Sequence, residues 1–266
     1  MNKYKCTFLL GLEESLEYRV NFALSLISTF FPIVIQTFLW TRIYNSPDAV
    51  IDNGYTYPQI ILYSLLAGMV SKLVSTGFEY EVNLDIKEGG LNKYLIRPVS
   101  YLRYRLSAFL GKKVPAAGIL CAAIAAAIIV AVTALSMSLT LSRVVLFAAA
   151  LCLALLLNFI IFYCISMAGF WLTEIEKLYG TISIVLVVLS GGVFPLDIFG
   201  SLAARISVIL PFSYTTQFPV NIVNGKLSMT EILTGMLVQA AWITALFILA
   251  RILWNKGIRR YISAGG

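Results

Sequence analysis

Long uncharged apolar runs constrain this chain more than any other feature. Residues 114–135 and 144–170 contain no Asp, Glu, Lys or Arg. Each is long enough to cross a hydrocarbon core of about 30 Å as an α-helix. Apolar residues supply 59% of the 266 positions and charged residues 12%, against about 25% charged in a soluble domain. That leaves too little polar surface to cover the molecule in water. In lipid every backbone N–H and C=O needs an internal partner, which a helix finds within its own segment. The expected fold class is an all-α membrane protein, a single domain over residues 1–266.

Six spans are expected: 20–44, 57–78, 114–135, 144–170, 180–193 and 232–252. Pro32 is expected to kink the first, with Trp40 and Tyr44 anchoring its outer end. Residues 1–19 read as an amphipathic helix lying on the membrane. Tyr4, Phe8, Leu9, Leu12 and Leu16 fall on one face, and Lys3, Glu14 and Glu17 on the other. These charges interrupt any short apolar leader, so the first span reads as a signal anchor and no cleavable signal peptide is expected. Residues 79–113 form the longest hydrophilic stretch, with four acids, seven bases, Gly89, Gly90 and Pro98. Residues 194–223 are mostly apolar yet hold Pro195, Asp197, Arg205, Pro211, Gln217, Pro219 and Asn221. That is a poor spanning helix. It reads as an external re-entrant pair of short helices, tolerated where protein or water satisfies the freed backbone.

Charge sets the expected orientation. With the N-terminus inside, fifteen Lys and Arg collect on the cytoplasmic side and four (Arg42, Arg143, Arg205 and Lys226) outside, Lys72 being inside a span. The bias favours both termini in the cytoplasm. The net charge of +7 then reads as basic loops facing anionic lipid, not as a nucleic-acid footprint.

Few residues suggest chemistry. The chain has no histidine, the commonest general base and metal ligand. Cys6, Cys121, Cys152 and Cys164 show no CxxC spacing, so they read as small packing residues. Leu189-Ser190-Gly191-Gly192 matches four letters of the ATP-binding-cassette signature but closes an apolar run. No G-x-x-x-x-G-K-[ST] loop accompanies it, and the glycines read as a helix break. The acids at Glu79, Glu81, Asp85 and Glu88 lack the partners of a catalytic pair. No catalytic, cofactor-binding or metal residue is expected. Four polar residues inside the spans remain: Gln36, Lys72, Asn158 and Gln239. They are candidates for lining a substrate route. Gln36, Asn158 and Gln239 read more often as interhelical hydrogen-bond partners, and Lys72, if it does not line a pathway or pair with Glu79 or Glu81, as a side chain snorkelling to the headgroups.

Two segments carry a resemblance. One is Ile86-Lys87-Glu88-Gly89-Gly90-Leu91 followed by Leu95-Ile96-Arg97-Pro98-Val99. The other is Ser190-Gly191-Gly192-Val193-Phe194-Pro195-Leu196, then Leu210-Pro211-Phe212, Pro219 and Gly225. In this register, and in the order of its parts, the chain resembles the ABC type-2 exporter permeases. More closely, it resembles a branch of viologen- or daunorubicin-type drug exporters. The resemblance implies a half-transporter of the bacterial cytoplasmic membrane that pairs with a second, identical or related permease. ATP and Mg²⁺ would sit on separate cytosolic ATPase subunits. It implies export of an amphiphile: a drug, toxic cation, lipid or peptide. It also implies that Asp85, Ile86, Lys87, Glu88, Gly89, Gly90, Leu91, Tyr94 and Leu95 dock on the ATPase, with Ile86, Leu91, Tyr94 and Leu95 as apolar anchors. Pro195, Asp197, Pro211 and Pro219 would shape the external hairpin. The rivals are a solvated basic loop that binds anionic lipid, a membrane-embedded lipid-modifying enzyme, and a secondary transporter or channel.

Overall fold

The computed structural model of the chain describes residues 3–17, 19–46, 54–134, 137, 139–172 and 175–261. The described residues form helices and no strand. They are α1 (Lys3–Glu17), α2 (Arg19–Tyr44), α3 (Tyr57–Val74), α4 (Glu79–Lys87), α5 (Asn92–Leu95), α6 (Tyr101–Thr133), α7 (Leu141–Ser166), α8 (Glu176–Leu189), α9 (Ser201–Ile209), α10 (Gln217–Val223) and α11 (Met229–Ile258). Single 3-10 turns at Met167–Phe170, Leu196–Phe199 and Ser213–Thr215 join some of them. Four stretches are long and apolar enough to cross a membrane: Tyr57–Lys87, Tyr101–Thr133, Leu141–Phe170 and Met229–Ile258. Most of the connection between the first two expected spans lies outside the described residues, as do Ser136 and Glu174.

Local sequence starts these helices where the chain turns. Thr56 and Gln59 form a capping box at α3, the Thr56 amide donating to Gln59 Oε1 at 2.9 Å. Ser228 and Glu231 do the same at α11 (2.7 Å). Both use side chains to satisfy amides that the first helical turn leaves open.

α3 is the axis of the molecule. Ile60, Leu62, Tyr63, Leu66, Ala67 and Val70 are fully enclosed, and α2, α6, α7 and α10 pack around it. A helix apolar on all sides is stable only where neighbours cover all sides. The outer helices instead leave apolar residues open, including Phe31 and Phe38 on α2, Ile129 on α6, Ile184 on α8 and Leu237 on α11. Lipid accepts such a surface and water does not.

α6 begins at Tyr101, well ahead of the start expected near 114. Charge made residues 101–113 read as loop. In the structure they are helical, and Tyr101, Arg105, Phe109 and Gly111 turn inward. α1 lies along this part of α6, with Thr7 and Gly11 buried in the contact. A Cβ on Gly111 would collide with the Phe8 carbonyl, so the two backbones touch because no side chain separates them. Leu9 and Leu16, expected on the apolar face of α1, are exposed.

The segment 194–223 forms two short helices, α9 and α10, around Leu210-Pro211-Phe212. Leu210 is extended (φ −79°, ψ 147°), as a residue preceding proline is pushed to be. Pro219 sits in the first turn of α10, where no amide is required. Pro195 precedes the Leu196–Phe199 turn.

Replacing Gly111 with Leu should lift α1 off α6. We expect a loss of about 1–3 kcal/mol, typical of overpacking, and faster proteolysis within residues 3–17. Unchanged protection of α1 would contradict the close helix contact.

Candidate coupling site

The expected ATPase-facing segment is a helix–turn–helix hung below α3. α4 ends at Lys87, and Gly89 follows with φ +78°, a left-handed conformation that costs a residue without a Cβ nothing. A Cβ on Gly90 would approach Asp85 Oδ1 to 2.5 Å. The glycines therefore let the chain fold back so that the Leu91 amide reaches the Asp85 carbonyl at 2.9 Å.

The fold sorts the candidate residues into two sets. Ile86, Leu91 and Tyr94 are buried in an aromatic cluster with Phe78, Tyr101, Phe159 and Met167. They hold the element to the bundle, which corrects the expectation that they face outward as anchors. Lys87 and Glu88 are exposed, as is Leu95 at 47%. Ile96 follows at 83% exposed and extends the outward surface beyond the segment expected.

Asp85 is the centre of a charge network. It is only 7% exposed, and Arg105, at 5%, faces it. The Arg105 guanidinium forks between Asp85 Oδ2 and Glu81 Oε2. Its Nε donates to the Tyr101 hydroxyl at 3.0 Å, and that hydroxyl donates to Asp85 Oδ2 at 2.8 Å. Lys93 approaches Asp85 Oδ1 at 3.4 Å. Lys112 then bridges Glu81 and Glu14, both at 2.6 Å, so the network reaches α1. α1 also holds the far end of the loop: Lys3 donates to the Pro98 carbonyl, and the Ser100 amide donates to the Tyr4 hydroxyl at 3.2 Å. Tyr94 packs on Tyr101 (5.0 Å between ring centres), and Tyr101 stacks on Trp254 of α11 (5.1 Å). Burial first, then the Tyr104 hydroxyl and the Asp85 carboxylate, push the Tyr94 phenol well above its ordinary range, so it stays a neutral donor.

A second polar cluster lies at the opposite end of α3. Asp197 Oδ2 accepts from Lys226 Nζ at 2.6 Å and from the Tyr55 hydroxyl at 3.0 Å. Lys226 sits over the Tyr55 ring, 3.5 Å from its centre. Burial and the Asp197 carboxylate raise the Tyr55 phenol far above its usual range, which keeps it a donor. Arg143, counted in the sequence as an external charge, donates to the carbonyls of Ile222 (3.1 Å) and Leu227 (2.9 Å) at the end of α10.

The four candidate route residues divide. Asn158 donates to the Val74 carbonyl at 2.7 Å and closes the open end of α3. Gln239 donates to the carbonyls of Ala150 and Tyr214, both at 3.0 Å, joining α7, α11 and the Ser213–Thr215 turn. These two are interhelical partners. Gln36 is buried with Oε1 unpaired. Lys72 donates to Ser25 Oγ at 2.5 Å. Lys72 and Asn158 line a cavity of about 290 Å³ with Ser183, Ser190 and Thr216.

The sequence reading missed Arg105, Tyr101, Glu14 and Lys112 as site residues, and Tyr55 with Lys226. One signal was available. Glu81 and Asp85 are four apart, as are Tyr101 and Arg105, which places each pair on one helix face. Only the fold sets those faces against each other.

Removing Arg105 should cost up to about 3–5 kcal/mol, because the buried Asp85 loses its close guanidinium partner and keeps only the Tyr101 hydroxyl and the exposed Lys93. Unfolding of Arg105→Ala in mixed micelles measures this, and Arg105→Ala/Asp85→Asn should recover part of the loss. A single variant as stable as the wild type would remove the network from its central role.

The comparisons with known proteins agree with the membrane architecture. No curated protein and no solved structure matches the chain. The model of a family described as ABC-2 family transporter protein matches residues 30–265. That match covers most of the sequence, the long apolar helices and the candidate coupling site, and the chain belongs to the ABC-2 family of membrane transporter proteins.

Proposed function

We propose that the chain is the transmembrane permease subunit of an ATP-binding-cassette exporter in the bacterial cytoplasmic membrane. Two such permeases, identical or related, work with two cytosolic ATPase subunits, which carry the ATP and Mg²⁺. The exported molecule is an amphiphile of the drug, toxic-cation, lipid or peptide type, as in the drug-exporter branch the sequence resembles. The observation that carries this reading is the coupling element itself. A short helix pair is fastened to the bundle by the buried Asp85–Arg105 pair and presents Leu95, Ile96, Lys87 and Glu88 outward. A rigid projection transmits a partner's motion, and a floppy loop does not.

In this reading α2 and α8 join the four long apolar stretches to make six spans, with α1 on the cytoplasmic surface. α9 and α10 form the external re-entrant hairpin. The position of their connection supports re-entry. Asp197 sits with Tyr55 at the start of α3, whereas Phe212, Thr215 and Thr216 share a cavity with Ser71 and Ser75 at its far end. The hairpin thus runs deep along α3 and returns to Lys226.

The test is assembly with a partner ATPase. Co-expressed with the ABC ATPase of its own operon, the wild-type chain should copurify as a complex that hydrolyses ATP, while the purified chain alone should not. Leu95→Asp/Ile96→Asp should release the ATPase, since docking would bury two carboxylates without partners. A double variant that keeps both ATPase and export would overturn the docking assignment. A cysteine placed at residue 260 should resist labelling from outside intact cells, and efficient labelling there would reverse the orientation.

A further inference from the structure

The cation-rich cavity at the lower end of α3 points to a ligand. A space of about 340 Å³ lies between α2, α3, α4 and α6, and its walls include Ser25, Lys72, Ser75, Thr76, Phe109 and Lys113. Arg105 and Lys112 also border it, but Glu81, Asp85 and Glu14 neutralise them. Lys72 and Lys113 differ. Among the described residues neither has a carboxylate at ion-pair distance. Lys72 donates to Ser25 Oγ at 2.5 Å. Lys113 donates to the Lys72 carbonyl and Ser75 Oγ, both at 3.2 Å. Every oxygen they meet is neutral. The Thr76 hydroxyl is buried beside them. Glu79 lines the neighbouring cavity, within electrostatic reach of Lys113 but outside ion-pair distance.

Two ammonium groups drawn together in a partly buried space are unfavourable unless a negative charge joins them. An ammonium carries three donors, and these two lysines use only part of that capacity. Ser25, Ser75 and Thr76 add hydroxyls around the same space. We propose that this cavity binds the phosphate group of an anionic ligand, with Lys72 and Lys113 supplying charge and the three hydroxyls supplying hydrogen bonds. A phosphate offers several strong acceptor oxygens to point-charge donors such as lysine. The surroundings favour a glycerophospholipid headgroup. In the proposed topology the cavity lies at the cytoplasmic end of the α3 span, where the apolar α3 gives way to the charged α4, within reach of a lipid phosphate. Its remaining walls, Phe78, Phe109, Ala108 and Ala116, suit the glycerol and upper acyl chain. The site borders the charge network on both α4 and α6, so bound lipid would brace one helix against the other.

Purified full-length chain in detergent, stripped of lipid, tests this. Thermal unfolding would be followed by tryptophan fluorescence while phosphatidylglycerol or inorganic phosphate is added, and native mass spectrometry would count retained lipid. Phosphatidylglycerol should raise the unfolding temperature saturably. In Lys72→Gln/Lys113→Gln its apparent Kd should weaken about tenfold or more, as loss of charge-assisted bonds implies. Inorganic phosphate acting alone at the same lysines would identify a soluble phosphate as the source. Arg259→Gln/Arg260→Gln removes the same charge from an exposed surface and should bind as the wild type does. Where the double lysine variant does not fold, Lys72→Gln alone carries the test in native mass spectrometry. Equal weakening in the arginine control, or unchanged lipid binding in the lysine variants, overturns the site. Either result leaves the ATPase-docking reading intact, because no residue of the outward surface is altered.

Discussion

The buried fork of Arg105 between Asp85 and Glu81 is the interaction on which the lower half of the molecule depends. Taking two charges out of water is costly, and only close geometry with further hydrogen bonds offsets it. Here Tyr101 supplies those bonds from the same helix as Arg105. The pair adds little net stability over a well-packed apolar core, but it specifies one arrangement. α4 must meet α6 in this register or leave a charge unpaired in a low-dielectric interior. Lys112 and Glu14 extend the same demand to α1. α1, α4 and α6 are thereby fixed as one body.

The opposite end is fixed by a smaller device of the same type. Asp197, Lys226 and Tyr55 tie the two ends of the α9–α10 segment to the entry of α3. Between the two clusters lies α3, enclosed on all sides. α3 is thus an axis with polar locks at both ends, and packed helices of this type move by small sliding or rigid-body rotation. The second element that bridges the two ends is the hairpin connection, held by Gln239 through the Tyr214 carbonyl.

The exterior completes the picture. α2, α8 and α9 leave wide apolar ribbons, with Phe31, Phe38, Ile184 and Leu202 open. In water such ribbons would drive aggregation. In a bilayer they meet lipid tails, and the same surface that excludes a soluble fold becomes the surface that places the chain in its solvent.

The sequence by itself determined the class and most of the element plan. Uncharged runs of membrane length admit helices and no open sheet, and the breaks at Gly89–Gly90, Pro98 and Pro211 mark where those helices stop, because backbone geometry at such residues is local. It also marked 79–113 as a charged connection, of which the structure gives residues from Tyr101 onward to α6. The tertiary structure decided what faces what. It extended α6 back to Tyr101, since charges that read as loop find partners on α4 and α1. It turned Leu91 and Tyr94 inward and left Leu95 and Ile96 outside, because a four-residue helix has no periodicity from which a face can be read. It made Asn158 and Gln239 backbone partners and left Lys72 beside a second lysine, Lys113, forty-one positions away. Charge composition is a property of the chain, but charge compensation is a property of distances, and only the folded bundle sets them.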